Sequence, residues 1–188
     1  MIEILSPDFL LFYACKKRAF YVSIEQGDNI YYLLIYSYLL KSRKKQFISL
    51  ELNKSGFFNK IVHFLFKNKN NGYLFVEKKY LDELEDVFLN NKINHSLFGK
   101  LLNYPDCCIK KFCQEVKDDN KLKRDYSYDS AKRYLKQLNG KKDKFNIRIN
   151  KSGKVLEMPF GFVPCSPSCS NALKIVKDYE KIKEKILV

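Results

Sequence analysis

The segment NYPDCCIKKFCQEV, residues 103–116, holds three of the six cysteines of this 188-residue chain within seven positions. A second segment, FVPCSPSCSNAL, residues 162–173, adds two more cysteines that are four positions apart. In a reducing compartment, thiols gathered in this way more often serve metal or redox chemistry than structural disulfides. The two segments therefore set the main expectation about this protein, both for its fold after residue 92 and for its chemistry.

Both segments have a proline two residues before a cysteine, Pro105 before Cys107 and Pro167 before Cys169. Proline is favoured in the first turn of a helix, so each segment predicts a turn that leads into a helix. Cys107, Cys108 and Cys169 would then lie near free backbone N–H groups at the positive end of a helix dipole. That environment lowers the pKa of a thiol and favours the thiolate, which is the form that attacks or binds metal.

If the two turns meet, they offer four thiolates, a set that suits tetrahedral zinc or an iron–sulfur cluster without distinguishing between them. Cys113 lies five positions beyond Cys108, roughly 140° around a helix, and Cys15 lies in an apolar stripe, so we expect both to be structural. Thiol–disulfide chemistry and ordinary buried cysteines remain as alternatives. The predicted metal ligands are Cys107, Cys108, Cys165 and Cys169.

The segment LFGKLLNYPDCCIKKF, residues 97–112, followed by PCSPSC, residues 164–169, resembles an uncharacterised archaeal family. That family is a domain of unknown function recognised by a YPxCC segment and a downstream PCxxxC segment. Asn103 stands where the family pattern has glycine. The resemblance supplies no reaction, but it implies that seven residues act as one unit: Tyr104, Pro105, Cys107, Cys108, Pro164, Cys165 and Cys169.

The first 92 residues alternate between apolar segments of strand length and segments of helix length. Strands that recur about every 27 residues with helices between them are typical of βαβ units. We therefore predict an α/β domain over residues 1–92, with a mainly parallel sheet and flanking helices. The predicted strands are 19–24, 46–52 and 73–77, and the predicted helices are 8–17, 29–41, 57–67 and 79–91.

Residues 93–188 are predicted to form a mostly helical region that contains the cysteine segments. This region either packs on the first domain or belongs with it to one single domain. The pattern predicts two short helices on either side of Pro105, a helix over 130–138, a pair of strands over 145–149 and 154–160, and a last helix from about 168.

The formal charge of +14 rests on 35 basic residues, of which 30 are lysine. Residues 101–188 carry 20 basic against 11 acidic side chains, so most of the excess lies in the cysteine-containing half. Such a charge suggests RNA or another anionic partner, whereas the lysine-rich usage is also what an AT-rich genome would produce. The candidate nucleic-acid contacts are Lys121, Lys123 and Lys132.

The chain has no P-loop, GxGxxG, GxSxG or HExxH segment, so nucleotide-binding, hydrolase and metalloprotease functions lack support. His95 and Asp106, close to the cysteines in sequence, are the candidate catalytic groups. No apolar run reaches the length of a membrane span, and we expect a cytoplasmic protein. We expect a four-cysteine metal protein, either an enzyme acting on RNA or a nucleotide-derived substrate, a thiol–disulfide redox protein, or a non-enzymatic RNA-binding module with a structural zinc.

Overall fold

The computed structural model forms two compact units. One comprises Phe12–Asn103, and the other comprises Met1–Leu11 together with Tyr104–Val188. The structural boundary falls at residues 103 and 104, whereas the predicted division lay at residues 92 and 93. The structure describes residues 6–23, 47–52, 58–59, 72–87, 94–116 and 127–187.

The described strands of the unit Phe12–Asn103 are β1 (Ala19–Ser23), β2 (Phe47–Leu52), β3 (Phe58–Asn59) and β4 (Gly72–Glu77). They form a four-stranded sheet with the order β1-β4-β2-β3. Each pair of neighbours is antiparallel; between β1 and β4, for example, Phe20 lies opposite Phe75.

The prediction of a mainly parallel sheet is therefore wrong, although a mixture of helices and strands is present. The strand segments β1, β2 and β4 match the predicted ones closely, but β4 lies between β1 and β2 and runs opposite to both. Regular spacing of strands along the chain does not determine their direction, because a return connection can be as long as a crossover. The helix predicted over 57–67 is wrong at Phe58–Asn59, which is β3. The helix predicted over 29–41 lies outside the described residues.

The same unit also contains two short helices. A single 3₁₀ turn (Lys78–Tyr80) precedes α2 (Glu83–Val87), and α3 (His95–Leu101) follows after a gap in the described residues. The side chain of Asn94 accepts hydrogen bonds from the N–H groups of Ser96 and Leu97, which satisfies two donors at the start of α3.

The first helix, α1 (Pro7–Tyr13), is shorter than the predicted helix 8–17. It ends because the Cys15 N–H donates to the carbonyl of Phe12 while Cys15 takes a positive φ of 57°. Cys15 is exposed rather than part of a core, so that expectation was wrong.

The unit that contains the cysteine turns is mostly helical. The predicted helix after Pro105 is confirmed in this unit, and the predicted helix before it is α3 of the other unit. The two predicted strands form an antiparallel pair around the turn at 150–153, but both are shorter than predicted. The elements of this unit are α4 (Asp106–Val116), α5 (Tyr128–Leu138), β5 (Arg148–Ile149), β6 (Val155–Glu157) and α6 (Ser170–Leu187).

Aromatic rings fill the centre of this unit. Phe145 makes edge-to-face contacts with Tyr134, Phe160 and Phe162, at centroid distances of 6.0, 5.6 and 6.0 Å. The predicted apolar stripe of α6 packs here through Ala172 and Val176 and, partly buried, through Ile175, Tyr179 and Ile182. Two of the cysteines, Cys108 and Cys169, belong to the same core.

The turn that contains Gly161 closes tightly over two polar groups of this unit. Gly161 has a φ of +72°, and a side chain there would collide with the Asp8 carboxylate and the Tyr104 hydroxyl. Burial, helped by the charge of Asp8, raises the pKa of Tyr104 well above its usual range. The hydroxyl of Tyr104, the residue before Pro105, is thus held in a buried environment, while the side chain as a whole is partly buried.

Across the described part of the chain, no helix combines the length and apolar character needed to cross a membrane.

Candidate metal centre

The first cysteine turn is built around the carbonyl of Pro105. This carbonyl accepts hydrogen bonds from the N–H groups of Cys108 and Ile109, at 2.8 and 3.0 Å. Helix α4 begins at Asp106, so Cys107 and Cys108 lie in its first turn, as the proline position predicted. The thiols of Cys107 and Cys108 therefore lie at the N-terminal end of α4, where the backbone N–H groups have no hydrogen-bond acceptor within the helix itself.

The second turn places Cys169 directly before α6. The Cys169 N–H donates to the carbonyl of Ser166 at 3.2 Å, and the carbonyl of Cys169 accepts from Leu173 at 2.9 Å. The Cys169 sulfur also accepts a hydrogen bond from the backbone of Ala172. Cys169 therefore occupies the capping position at the N-terminus of α6.

The structure brings the four cysteine sulfurs together, as the paired proline turns predicted. The Cys107 Sγ lies 3.5 Å from the Sγ of Cys169 and 4.0 Å from that of Cys108, and the latter two are 3.8 Å apart. With Cys165 included, all four sulfurs lie within 4.8 Å of one another. A group of four thiols this close could bind a metal ion.

Hydrogen bonds from N–H groups reach the sulfurs from the surrounding turns. The backbone N–H of Cys165 donates to the Cys108 Sγ at 3.4 Å, and the Asn171 Nδ2 donates to the Cys107 Sγ at 3.9 Å. Such donors stabilise negative charge on sulfur and orient the side chains that would ligate a metal. The thiols also differ in exposure, since Cys108 and Cys169 are buried whereas Cys107 is exposed.

The environment shifts the pKa values of three thiols in different directions. Burial raises the pKa of Cys108, and it raises the pKa of Cys165 to about 11 with help from the neighbouring thiols. Burial also acts to raise the pKa of Cys169, but hydrogen bonds from the Ala172 backbone and the adjacent thiols outweigh it and lower that pKa. The expectation of a lowered pKa is thus confirmed for Cys169 and wrong for Cys108, where desolvation exceeds the effect of the helix end.

Arg133 on α5 holds the backbone that carries Cys165. Its guanidinium donates to the carbonyls of Cys165 and Pro164, at 2.8 and 3.2 Å, while its Nε lies 2.5 Å from the Glu115 carboxylate. Lys111 pairs with the same carboxylate at 3.3 Å, and the Ser130 hydroxyl donates to it.

The network lowers the pKa of Glu115. Burial acts to raise that pKa, but hydrogen bonds from Ser130, Arg133 and Lys111 outweigh burial. Sequence reasoning missed this network. Its only visible signal was an arginine at position 133 in a chain where 30 of 35 basic residues are lysine.

The remaining cysteine of α4 lies outside the group of four sulfurs. Cys113 is partly buried, as expected for a structural residue, and it is not among the sulfurs that converge.

The catalytic candidates lie at the starts of two helices. His95 is the first residue of α3 in the unit Phe12–Asn103 and is partly buried, whereas Asp106 is the exposed first residue of α4, beside Cys107. A catalytic role for either residue stays a prediction. The proposed ligand role of the four cysteines likewise stays a prediction, although their proximity is established.

Of the candidate nucleic-acid contacts, Lys132 is exposed on α5. Lys121 and Lys123 lie outside the described residues. The RNA contacts predicted at these three lysines therefore stay a prediction.

The fold and the site together define a protein of mixed helices and strands with a four-thiol group that could bind a metal. The chain belongs to the family described as "Protein of unknown function (DUF483)", whose model matches residues 74–186. The predicted resemblance to an uncharacterised archaeal family is thereby confirmed, and the matched region contains both cysteine turns.

The chain is also similar to "Uncharacterized protein MJ1106" of the archaeon Methanocaldococcus jannaschii. The two are 36% identical over 76 residues, which cover 40% of this chain and 34% of that protein. The chain thus aligns with about a third of the relative's length. No solved structure matches the chain.

Proposed function

We propose that one zinc ion is bound by the thiolates of Cys107, Cys108, Cys165 and Cys169, and that this centre stabilises the unit formed by residues 1–11 and 104–188. The observation that carries the proposal is the convergence of all four sulfurs within 4.8 Å of one another. Two of the ligands come from the first turn of α4 and two from the segment that leads into α6. One ion would therefore connect parts of the chain that are about sixty residues apart.

The distances between sulfurs support a single ion rather than a cluster. A tetrahedral ion with Zn–S bonds of about 2.3 Å separates its sulfurs by about 3.8 Å. The separations among Cys107, Cys108 and Cys169 are 3.5, 3.8 and 4.0 Å. In an iron–sulfur cluster the thiolates bind more than one iron, so the intervening iron and sulfide atoms hold some of the sulfurs farther apart.

The number of ligands supports a structural centre. Catalytic zinc usually has three protein ligands and keeps one position for water or substrate, whereas structural zinc has four protein ligands. Four thiolates would leave no such position. The proposal therefore does not include the alternative of an enzyme acting on RNA or a nucleotide-derived substrate, with His95 or Asp106 as catalytic groups.

A second candidate function is thiol–disulfide chemistry, which one specific observation favours. The sulfurs of Cys107 and Cys169 are only 3.5 Å apart, and Cys107 is exposed. Oxidation by a disulfide-containing partner would join these two sulfurs at about 2.05 Å and release two reduced thiols on that partner. Such chemistry needs the thiols free of metal, so metal content separates the two candidates.

The test is elemental analysis of protein purified without oxygen and in the presence of a reductant. We expect a colourless protein with one zinc per chain, and we expect Cys165→Ser to lose that zinc. Cys113→Ser is the matched control, since it removes a thiol from the same unit and should keep the metal. Brown protein with iron and acid-labile sulfide would replace zinc by a cluster. Metal-free protein with reversible oxidation of Cys107 and Cys169 would favour the redox function.

A further inference from the structure

Two consecutive turns between α5 and β6 carry a dense positive charge. Residues 141–154 contain six cationic side chains and one carboxylate. We propose that these turns, 139–147 and 150–154, form a surface that binds the phosphodiester backbone of a nucleic acid. We refer to this surface as the lysine turns. The inference goes beyond the metal centre and does not depend on which metal, if any, is bound.

The first of the lysine turns is organised by its own carboxylate. Asp143 accepts hydrogen bonds from the Tyr134 hydroxyl at 2.7 Å and from the N–H groups of Phe145 and Ile147 at 2.8 and 2.7 Å. The buried rings of Tyr134 and Phe145 belong to the core of this unit, so the carboxylate is directed toward the protein interior. The Asp143 carboxylate, which is the single negative charge of residues 141–154, is thus hydrogen-bonded within the fold.

The second turn is built in the same way around an amide. The Asn150 Oδ1 accepts hydrogen bonds from the Ser152 N–H and hydroxyl at 3.0 and 2.8 Å, and from the Lys154 N–H at 3.0 Å. Gly153 supplies the positive φ, 88°, that the turn requires. Both turns are therefore ordered by side-chain hydrogen bonds before any partner arrives, which reduces the entropy lost on binding.

The lysines of these turns project into solvent. Arg148 pairs with Glu157 at 3.3 Å, but no ion pair involves the lysines within the described part of the chain. The eight residues from Lys144 to Lys151 span at most about 25 Å, so the charges of the two turns act together on one short segment of a nucleic-acid backbone. The exposed lysines are Lys141, Lys142, Lys144, Lys151 and Lys154.

The chemistry of this surface favours nucleic acid over a lipid membrane. Membrane binding by basic segments is strengthened by several apolar side chains that enter the bilayer. Here Phe145 and Ile147 are buried, and Leu156, 60% exposed, is the one large exposed hydrophobic residue among the described residues of this unit. Lysines that act as point charges suit the phosphate backbone. The lysine turns have no exposed aromatic ring on which a base could stack, so we expect little sequence preference.

The test compares two variants with the same net charge. In the first, the five lysines of the turns are replaced by glutamine. In the control, five exposed helical lysines of the same unit are replaced by glutamine: Lys136, Lys174, Lys177, Lys181 and Lys185. Binding to a labelled, unstructured single-stranded RNA, and to DNA of the same sequence, is measured over a range of salt concentrations.

We expect the wild-type affinity to fall with salt with a log–log slope of about −3.5 if all five lysines contact phosphates of a single strand. The turn variant should bind at least about tenfold more weakly with a shallower slope, whereas the control should keep the wild-type slope. The RNA and DNA arms decide which nucleic acid binds better. A variant with only Lys141, Lys142 and Lys144 replaced should show an intermediate loss, and it replaces the fivefold variant if that protein does not fold.

Three results would overturn the proposal. Equal losses in the turn and control variants would mean that overall charge, and not this surface, attracts the nucleic acid. Absence of salt-dependent binding to either nucleic acid would remove the function altogether. Binding of the wild type to phosphatidylserine vesicles, but to neither RNA nor DNA, would assign the surface to a membrane instead.

Discussion

At the scale of single residues, Arg133 connects the second cysteine turn, which carries Cys165, to α5. Its guanidinium donates hydrogen bonds to two consecutive carbonyls, those of Pro164 and Cys165, while its Nε pairs with the Glu115 carboxylate. A planar guanidinium can make these bonds together because its donors have a fixed geometry, whereas a lysine ammonium cannot reproduce the same set. Arg133 is therefore a positioning residue for Cys165 and does not itself reach the sulfurs.

The substitution Arg133→Lys keeps the charge and removes this geometry. Since groups that orient metal ligands typically contribute 10- to 100-fold to metal affinity, we expect zinc affinity to fall by about that factor. Competition with a chromophoric chelator measures the change. Arg148→Lys is the control, because Arg148 makes an exposed ion pair with Glu157, and it should bind zinc as the wild type does. Equal affinities for all three proteins would show that the turn holds Cys165 without Arg133.

At the scale of the structural element, the turn around Gly161 is expected to be intolerant of a side chain. Gly161 and Gly140 both have a positive φ, of 72° and 80°, so alanine is strained at either position. Nothing lies within 4 Å of a Cβ at Gly140, whereas a Cβ at Gly161 would collide with Asp8 and Tyr104. The pair of glycines thus separates backbone strain from packing.

We expect Gly140→Ala to cost about 1 kcal/mol of stability and Gly161→Ala to cost at least about 2 kcal/mol more, since the buried Asp8 and the partly buried Tyr104 would have to move. The measurement is the free energy of opening from hydrogen exchange at amides of α5 and α6 in the zinc-loaded protein. If the two variants are destabilised equally, the buried contacts around Gly161 contribute nothing beyond its φ angle.

At the scale of the whole molecule, all four candidate ligands belong to one compact unit, formed by residues 1–11 and 104–188, and the sheet belongs to the other. Structural zinc contributes its binding energy directly to folding, about 10–16 kcal/mol in small zinc domains. Loss of the proposed zinc ion should therefore destabilise the unit that contains the four cysteines far more than the sheet.

We expect Cys108→Ser, or removal of zinc by a chelator, to abolish exchange protection in α4 and α6 while β1, β2 and β4 keep theirs. Cys113→Ser serves as the control, since it should leave both units protected. Protection lost throughout the strands as well would mean that the centre holds the entire chain together. Unchanged protection everywhere would mean that the fold stands without the metal.

The sequence predicted most strands and helices because their signals are local. The apolar runs of β1 and β4, the alternation of β2, the proline before α4 and the apolar stripe of α6 each act within a few residues of the chain. Strand direction was predicted wrongly because direction depends on which strands become neighbours. FISLEL, residues 47–52, alternates apolar and polar residues as strands of antiparallel sheets often do, and this pattern was the available signal against a parallel sheet.

The sequence by itself determined the chemistry available to the site: four thiols, two prolines that start helices, and an excess of lysine. These are properties of residue type and short spacing, which any fold would retain. Only the tertiary structure decided the distances between sulfurs from turns about sixty residues apart, the burial that raises the pKa of Cys108, and the reach of Arg133 to the carbonyl of Cys165. Each of these depends on long-range packing, which a linear pattern does not encode.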